Sequence, residues 1–173
     1  MAQTSHESAF TFLPQGALIQ EFSVAGHNLV LSLPTAGYYA THNQAYFGET
    51  IGRTTNRIRA GQIPKLNGKT YQLATNDGPR PNSLHGGNEG WGKKIWDGPR
   101  KVNRKGREGL QFTYLSKDGD EGYPGAVEAN VCYVAGIEDG TKGRRDTVLE
   151  VEYEIQFVGD ECEETVVGVT NHR

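Results

Sequence analysis

Sulfur is scarce in this 173-residue sequence: it has two cysteines, Cys132 and Cys162, and one methionine. One pair cannot supply the framework of bridges on which small extracellular folds rely, so free thiols in a reducing cytosol are the expectation, and with them a cytoplasmic location. Long apolar runs are lacking as well. No stretch reads as a transmembrane helix, and the opening Met1-Ala2-Gln3-Thr4-Ser5-His6-Glu7 has neither the basic nor the apolar part of a secretory signal. Positive charge is not in excess. The 18 Lys and Arg stand against 21 Asp and Glu, a formal net charge of -3, which removes the electrostatic case for nucleic acid or an anionic membrane as a partner. Strong helix formers are sparse and no segment sustains a helical period, which argues against a helical bundle. No P-loop or dinucleotide fingerprint occurs.

What is present is β-like. Glycine is abundant at 23 residues, alongside Thr, Val and Tyr. In residues 147–158, Leu149, Val151, Tyr153, Ile155 and Phe157 alternate with Glu150, Glu152, Glu154 and Gln156. Such strict alternation is a strand with one face on a core and the other in solvent. Further strands are expected over 17–24 and 28–33, around the turn at Ala25-Gly26, and over 96–102 and 110–115, around a basic turn. Val127, Ala129, Val131 and Tyr133 continue the pattern, and 163–171 reads as a last, Val-rich strand that runs into His172. Residues 34–43 read as a loop or short helical turn. The expected fold class is all-β, an antiparallel sandwich or barrel, with 1–15 as a flexible lead-in and 16–173 as part of one β-sandwich domain.

The chemistry gathers between Tyr46 and Trp96. Two polar clusters, Gly52-Arg53-Thr54-Thr55-Asn56-Arg57 and Ser83-Leu84-His85-Gly86-Gly87, flank a hairpin signal centred on Asn67-Gly68. A rigid β-ribbon between the clusters would bring them back together in space. Arg and Asn offer fixed hydrogen-bond forks, His moves protons near neutrality, and the glycines are expected to let a flat, hydroxyl-rich ligand approach the backbone. Each residue also has a plain reading: His85 as a turn residue, Asn56-Arg57 as a strand-end pair, Arg53 as structural, His172 as a terminal residue. The acidic Asp118, Asp120 and Glu121 lack the rest of a calcium-loop pattern. The basic stretch 93–107 reads as a solvated hairpin. His85, His172 and the two cysteines have no close zinc spacing.

Taken together, several motifs resemble the aldose 1-epimerases, also called galactose mutarotases. They are Asn28-Leu29-Val30-Leu31, Phe47-Gly48-Glu49-Thr50-Ile51-Gly52-Arg53, Thr55-Asn56-Arg57-Ile58, Leu66-Asn67-Gly68-Lys69, Leu84-His85-Gly86-Gly87, Trp96, the loop at 118–125 and Thr170-Asn171-His172. The resemblance implies an antiparallel β-sandwich, the galactose mutarotase-like supersandwich, binding a hexose sugar in an open cleft. It implies interconversion of the α and β anomers of galactose or glucose with no cofactor and no metal. By the resemblance, Asn56 and Arg57 match substrate-binding positions, His85 a catalytic-site histidine that hydrogen-bonds the sugar, and His172 the general acid.

The family's base, a glutamate, and a substrate-binding aspartate lie downstream of His172, beyond Arg173. Glu89 and Asp118 are the nearest carboxylates by loop position. The expectation is therefore the N-terminal part of such a domain. Its rivals are a non-catalytic carbohydrate-binding or regulatory derivative, a sugar-phosphate epimerase of the same superfold, and a piece with no function of its own.

Overall fold

The structure, a computed structural model, describes residues 8–172. Its strands, in chain order, are β1 (Ser8–Leu13), β2 (Leu18–Val24), β3 (His27–Asn28), β4 (Thr50–Ile51), β5 (Ile58–Arg59), β6 (Gln62–Leu66), β7 (Lys69–Gln72), β8 (Asn82–Ser83), β9 (Asp97–Arg104), β10 (Arg107–Ser116), β11 (Val127–Asp139), β12 (Arg145–Phe157) and β13 (Thr170–Asn171). One short α-helix, α1 (Ala36–His42), lies between β3 and β4. The architecture is all-β, as the alternating pattern and the turn glycines require.

Two sheets make the core. One has the order β1-β2-β3 and the other β12-β11-β10-β9, all antiparallel. Ile19 from the first sheet and Ala17 from the turn before β2 cluster with Phe112, Val127, Ala129, Val131 and Tyr133 from the second, together with Trp91 and Trp96. The Tyr133 hydroxyl crosses between the layers and donates to the Ala17 carbonyl at 2.6 Å, so the one polar atom of that ring is satisfied inside the core. The other pairs are small: β6-β7, β5-β8 and β13-β4. The first is the expected hairpin, with Asn67 and Gly68 both at positive φ.

Several expectations change. Of the lead-in foreseen over 1–15, residues 1–7 lie outside the described residues, while Ser8–Leu13 forms β1 against β2. The strand foreseen over 28–33 stops at Asn28. There the Asn28 Oδ1 accepts the backbone N–H groups of Phe22 and Val30, so a side chain replaces the ladder, and Leu29 and Leu31 turn outward. Residues 163–171 are a strand only at Thr170–Asn171. Upstream, the N–H groups of Glu163 and Glu164 donate to Asn67 Oδ1 and Asn67 Nδ2 donates to the Glu164 carbonyl. Side-chain bonds from a distant part of the same chain hold this segment in place of a neighbouring strand. The alternation in 147–158 is present in β12, which pairs with β11 from Val127↔Phe157 to Asp139↔Arg145. Its apolar face is only half-buried, because β12 is the edge of its sheet.

Packing predicts a sharp contrast within β10. Phe112 is fully buried and Leu115 is half-exposed. Phe112→Ala should cost about 3–5 kcal/mol through transfer and cavity terms, and Leu115→Ala about 0.5 kcal/mol or less. Urea denaturation of both variants checks this; equal losses would mean that the core does not lie between these sheets.

Candidate active site

Pairing of β5 with β8, in the register Ile58↔Ser83 and Arg59↔Asn82, brings the two polar clusters side by side. Two glycines let them touch. A Cβ on Gly86 would lie 1.8 Å from the Gly52 carbonyl oxygen, and one on Gly52 would lie 2.1 Å from the Trp91 ring. These glycines therefore face the protein's own backbone and core rather than a ligand, which corrects the expectation for them. Arg53 also turns inward. It is 1% exposed, and its guanidinium donates to the carbonyls of Ser116, Lys117, Pro124 and Gly125 and to the hydroxyls of Ser116 and Thr165. Its role is structural.

The two histidines converge. His85 sits at φ 51 between the clusters, and its Nδ1 lies 2.9 Å from the Thr55 carbonyl oxygen. A carbonyl only accepts, so Nδ1 carries the hydrogen and Nε2 keeps its lone pair in the neutral ring. Burial pushes the His85 pKa below the ordinary histidine value; the Thr55 bond opposes this, and His172 and Arg57 add to the lowering. His172 arrives at the end of β13, which pairs with β4. Its N–H donates to the Glu49 carbonyl at 2.9 Å and its own carbonyl accepts from Gly48 N–H at 2.7 Å. The His172 Nδ1 is buried with no partner among the described residues. The two imidazole centroids are 5.1 Å apart, edge to face.

Arg57 is partly exposed, but its orientation is set from below. Its Nε and Nη2 donate to Asp77 Oδ2 and Oδ1 at 2.8 and 3.2 Å. Asn56 Oδ1 accepts the Arg57 N–H and Nη1–H. The Asp77 side chain is 4% exposed and also meets Arg80 and Asn82. Its bonds to Arg57 and then Asn82 hold its carboxyl below the usual aspartate range. A third ring joins the histidines: Tyr46, with centroids 4.8 Å from His85 and 5.8 Å from His172. Sequence reasoning missed both Asp77 and Tyr46. Asp77 lies in the run Asn76-Asp77-Gly78-Pro79-Arg80-Pro81-Asn82, whose composition signals only a turn, and Tyr46 stands just outside the motif that begins at Phe47.

His85, His172, Asn56 and Arg57 thus occur in one region. Glu89 and Asp118 are engaged elsewhere: the Glu89 side chain is 73% exposed beside Lys94, and Asp118 accepts the Gly125 N–H. Among the described residues no three His, Cys, Asp or Glu side chains gather so as to hold a metal ion, and no helix is long and apolar enough to cross a membrane.

Stacked antiparallel sheets with a polar, two-histidine site at the loop ends define an all-β sandwich protein. The chain belongs to the aldose 1-epimerase family, whose model matches residues 2–173. It is similar to the bifunctional protein GAL10 of Pachysolen tannophilus, 37% identical over 160 residues, covering 91% of this chain and 22% of that protein. It is also similar to the galactose mutarotase of Homo sapiens, 42% identical over 129 residues, covering 75% of this chain and 32% of that one. Among solved structures, the GalM/aldose epimerase homologue from C. elegans superposes with a TM-score of 0.75 at 26% identity, covering 96% of this chain and 46% of the other. The galactose 1-epimerase from Lactobacillus acidophilus NCFM gives 0.72 at 28%, covering 98% and 46%. The chain thus spans a third or less of these curated relatives' length and just under half of the solved ones.

Two outcomes follow from the geometry. Arg53→Met keeps the volume but strips six acceptors of their donor, and should cost about 3 kcal/mol or more in urea denaturation. Asp77→Asn tests the fork under Arg57. Because the folded-state pKa of Asp77 is lowered, its ionised form adds stability that is present at neutral pH and lost as the pH falls through that value. The stability gap between wild type and Asp77→Asn should therefore be open at neutral pH and close in acid. A gap that widens in acid would contradict the assignment.

Proposed function

We propose that this chain carries the sugar-binding and acid-bearing part of an aldose 1-epimerase site, one that interconverts the α and β anomers of galactose or glucose. The observation that carries the reading is the meeting of His85 and His172, from distant parts of the chain, at 5.1 Å beside the Asn56-Arg57 pair. Opening a pyranose requires a proton at the ring oxygen while a base takes the proton of the anomeric hydroxyl. The ring C–O bond breaks, the C1–C2 bond rotates, and reclosure on the other face of the aldehyde reverses both transfers. No atom is gained or lost, so neither oxidant nor cofactor is required by the balance.

In this reading His172 gives the proton to the ring oxygen. His85, held neutral by burial, presents Nε2 as an acceptor to a sugar hydroxyl. Arg57, held on Asp77, and Asn56 bind further hydroxyls. The family resemblance assigns the base to the downstream part of the domain, which this chain does not span.

Polarimetry of freshly dissolved α-D-galactose and α-D-glucose tests the proposal. The chain should speed the approach to anomeric equilibrium over buffer through its acid alone, and His172→Gln should remove that gain. His85→Gln and Arg57→Ala should weaken binding of the sugar in a titration followed by NMR. Sugar binding without faster anomer exchange would favour a carbohydrate-binding role instead. Absence of both would end the reading.

A further inference from the structure

The site rests on an ion pair that the reaction itself does not use. The Glu49 side chain is fully buried and Lys93 is 28% exposed; Lys93 Nζ lies 2.7 Å from Glu49 Oε1 and donates to the Asn43 carbonyl at 2.8 Å. Asn43 Nδ2 donates to the same Glu49 oxygen at 2.7 Å, and Asn43 Oδ1 accepts the Phe47 N–H, so the carboxylate is fixed from two sides. A Cβ on Gly92 would lie 2.2 Å from the other Glu49 oxygen, so only glycine leaves room for the carboxylate there. The Lys93 ammonium stands 4.4 Å from the centroid of the Tyr46 ring. That ring in turn contacts both imidazoles, meeting His85 edge to face at 66° and His172 at a tilt of 44°. Tyr46 itself sits at φ 58, a left-handed conformation that a bulky side chain adopts only when its surroundings hold it there. Charge, ring and the two histidines thus form one supported stack.

We infer that Tyr46 is a positioning residue for the two-histidine site, with the buried Glu49–Lys93 pair fixing the tyrosine ring against which His85 and His172 are set. The inference rests on reading these histidines as the sugar site. The physical need is clear at His172. Its backbone is clamped between Gly48 and Glu49, yet its Nδ1 has no hydrogen-bond partner among the described residues. No hydrogen bond to Nδ1 sets the rotation of that ring; ring contacts do. A cation over an aromatic face and edge-to-face ring pairs are each modest attractions, but together they fix the ring without consuming a donor or acceptor needed by the sugar. The assigned role belongs to the ring and not to its hydroxyl, because the contacts with Lys93, His85 and His172 are made by the face or edge of the ring.

Imidazole ¹H–¹³C spectra of the intact chain, with amide spectra as a check of folding, read this out independently of turnover. Tyr46→Phe should leave the His85 and His172 ring signals close to wild type. Tyr46→Leu should move both toward free-histidine positions while amides of the β9–β12 sheet stay unshifted. In the polarimetric assay Tyr46→Leu should lower kcat by ~10–100-fold with a smaller change in KM, and Tyr46→Phe should restore it. The double variant Glu49→Gln with Lys93→Met, which leaves no lone buried charge, should shift the His172 signal in the same direction as Tyr46→Leu. Ring signals unmoved in Tyr46→Leu, or moved equally in Tyr46→Phe, would overturn the proposal. If wild type shows no mutarotation but the ring signals respond as described, the enzyme reading fails and the positioning role stands.

Discussion

The buried guanidinium of Arg53 is the tie from which the rest of the arrangement follows. It lies in a ring of carbonyl and hydroxyl oxygens from 116–117, 124–125 and Thr165, with the Tyr123 ring 5.7 Å away. Burial lowers its pKa, and nearby Asp120 and Asp118 oppose that shift. A cation so placed is tolerable only when most of its donors find acceptors; both terminal nitrogens do, while Nε has no partner among the described residues. The end of β10 and the loop that follows it supply all of those acceptors but the Thr165 hydroxyl, and the Arg53 carbonyl takes the Gly168 N–H on the way to β13. One side chain thereby fixes the start of the first polar cluster, the glycine-rich loop and the segment that delivers His172.

Around that tie, the site is assembled from pieces that are weak alone. β5-β8 and β13-β4 are two-residue pairs, too short to be stable by themselves. They persist because the clusters also touch through Gly52 and Gly86, where no side chain could fit. Each group that would meet a sugar has a support of its own. Thr55 fixes the tautomer of His85, Asp77 orients Arg57, and the backbone of 48–49 clamps His172. Such supports matter because a hydrogen-bonding site that must order itself on binding loses affinity to side-chain entropy.

Much of this was legible before any coordinates. The Asn67-Gly68 turn, the alternation in β12 and the polar clusters were visible because each depends on neighbours close in sequence. Residues 28–33 and 163–171 misled for a related reason. Their β-branched and apolar content reads as strand, but Asn28 and Asn67 satisfy their backbones by side-chain bonds that no periodicity records. Arg53 and Arg57 stand four positions apart in one polar cluster, and nothing local says that the first is buried and structural while the second is exposed and paired with Asp77.

By itself, then, the sequence determined the all-β class, the hairpin that separates the clusters and the family motifs. Those rest on local periodicity, turn stereochemistry and short motifs. Only the tertiary structure decided which polar groups are partners: Glu49 with Lys93, Asp77 with Arg57, Tyr46 with both histidines. Burial and charge pairing are properties of positions distant in the chain and near in space, and they come into being only when the sheets close on one another.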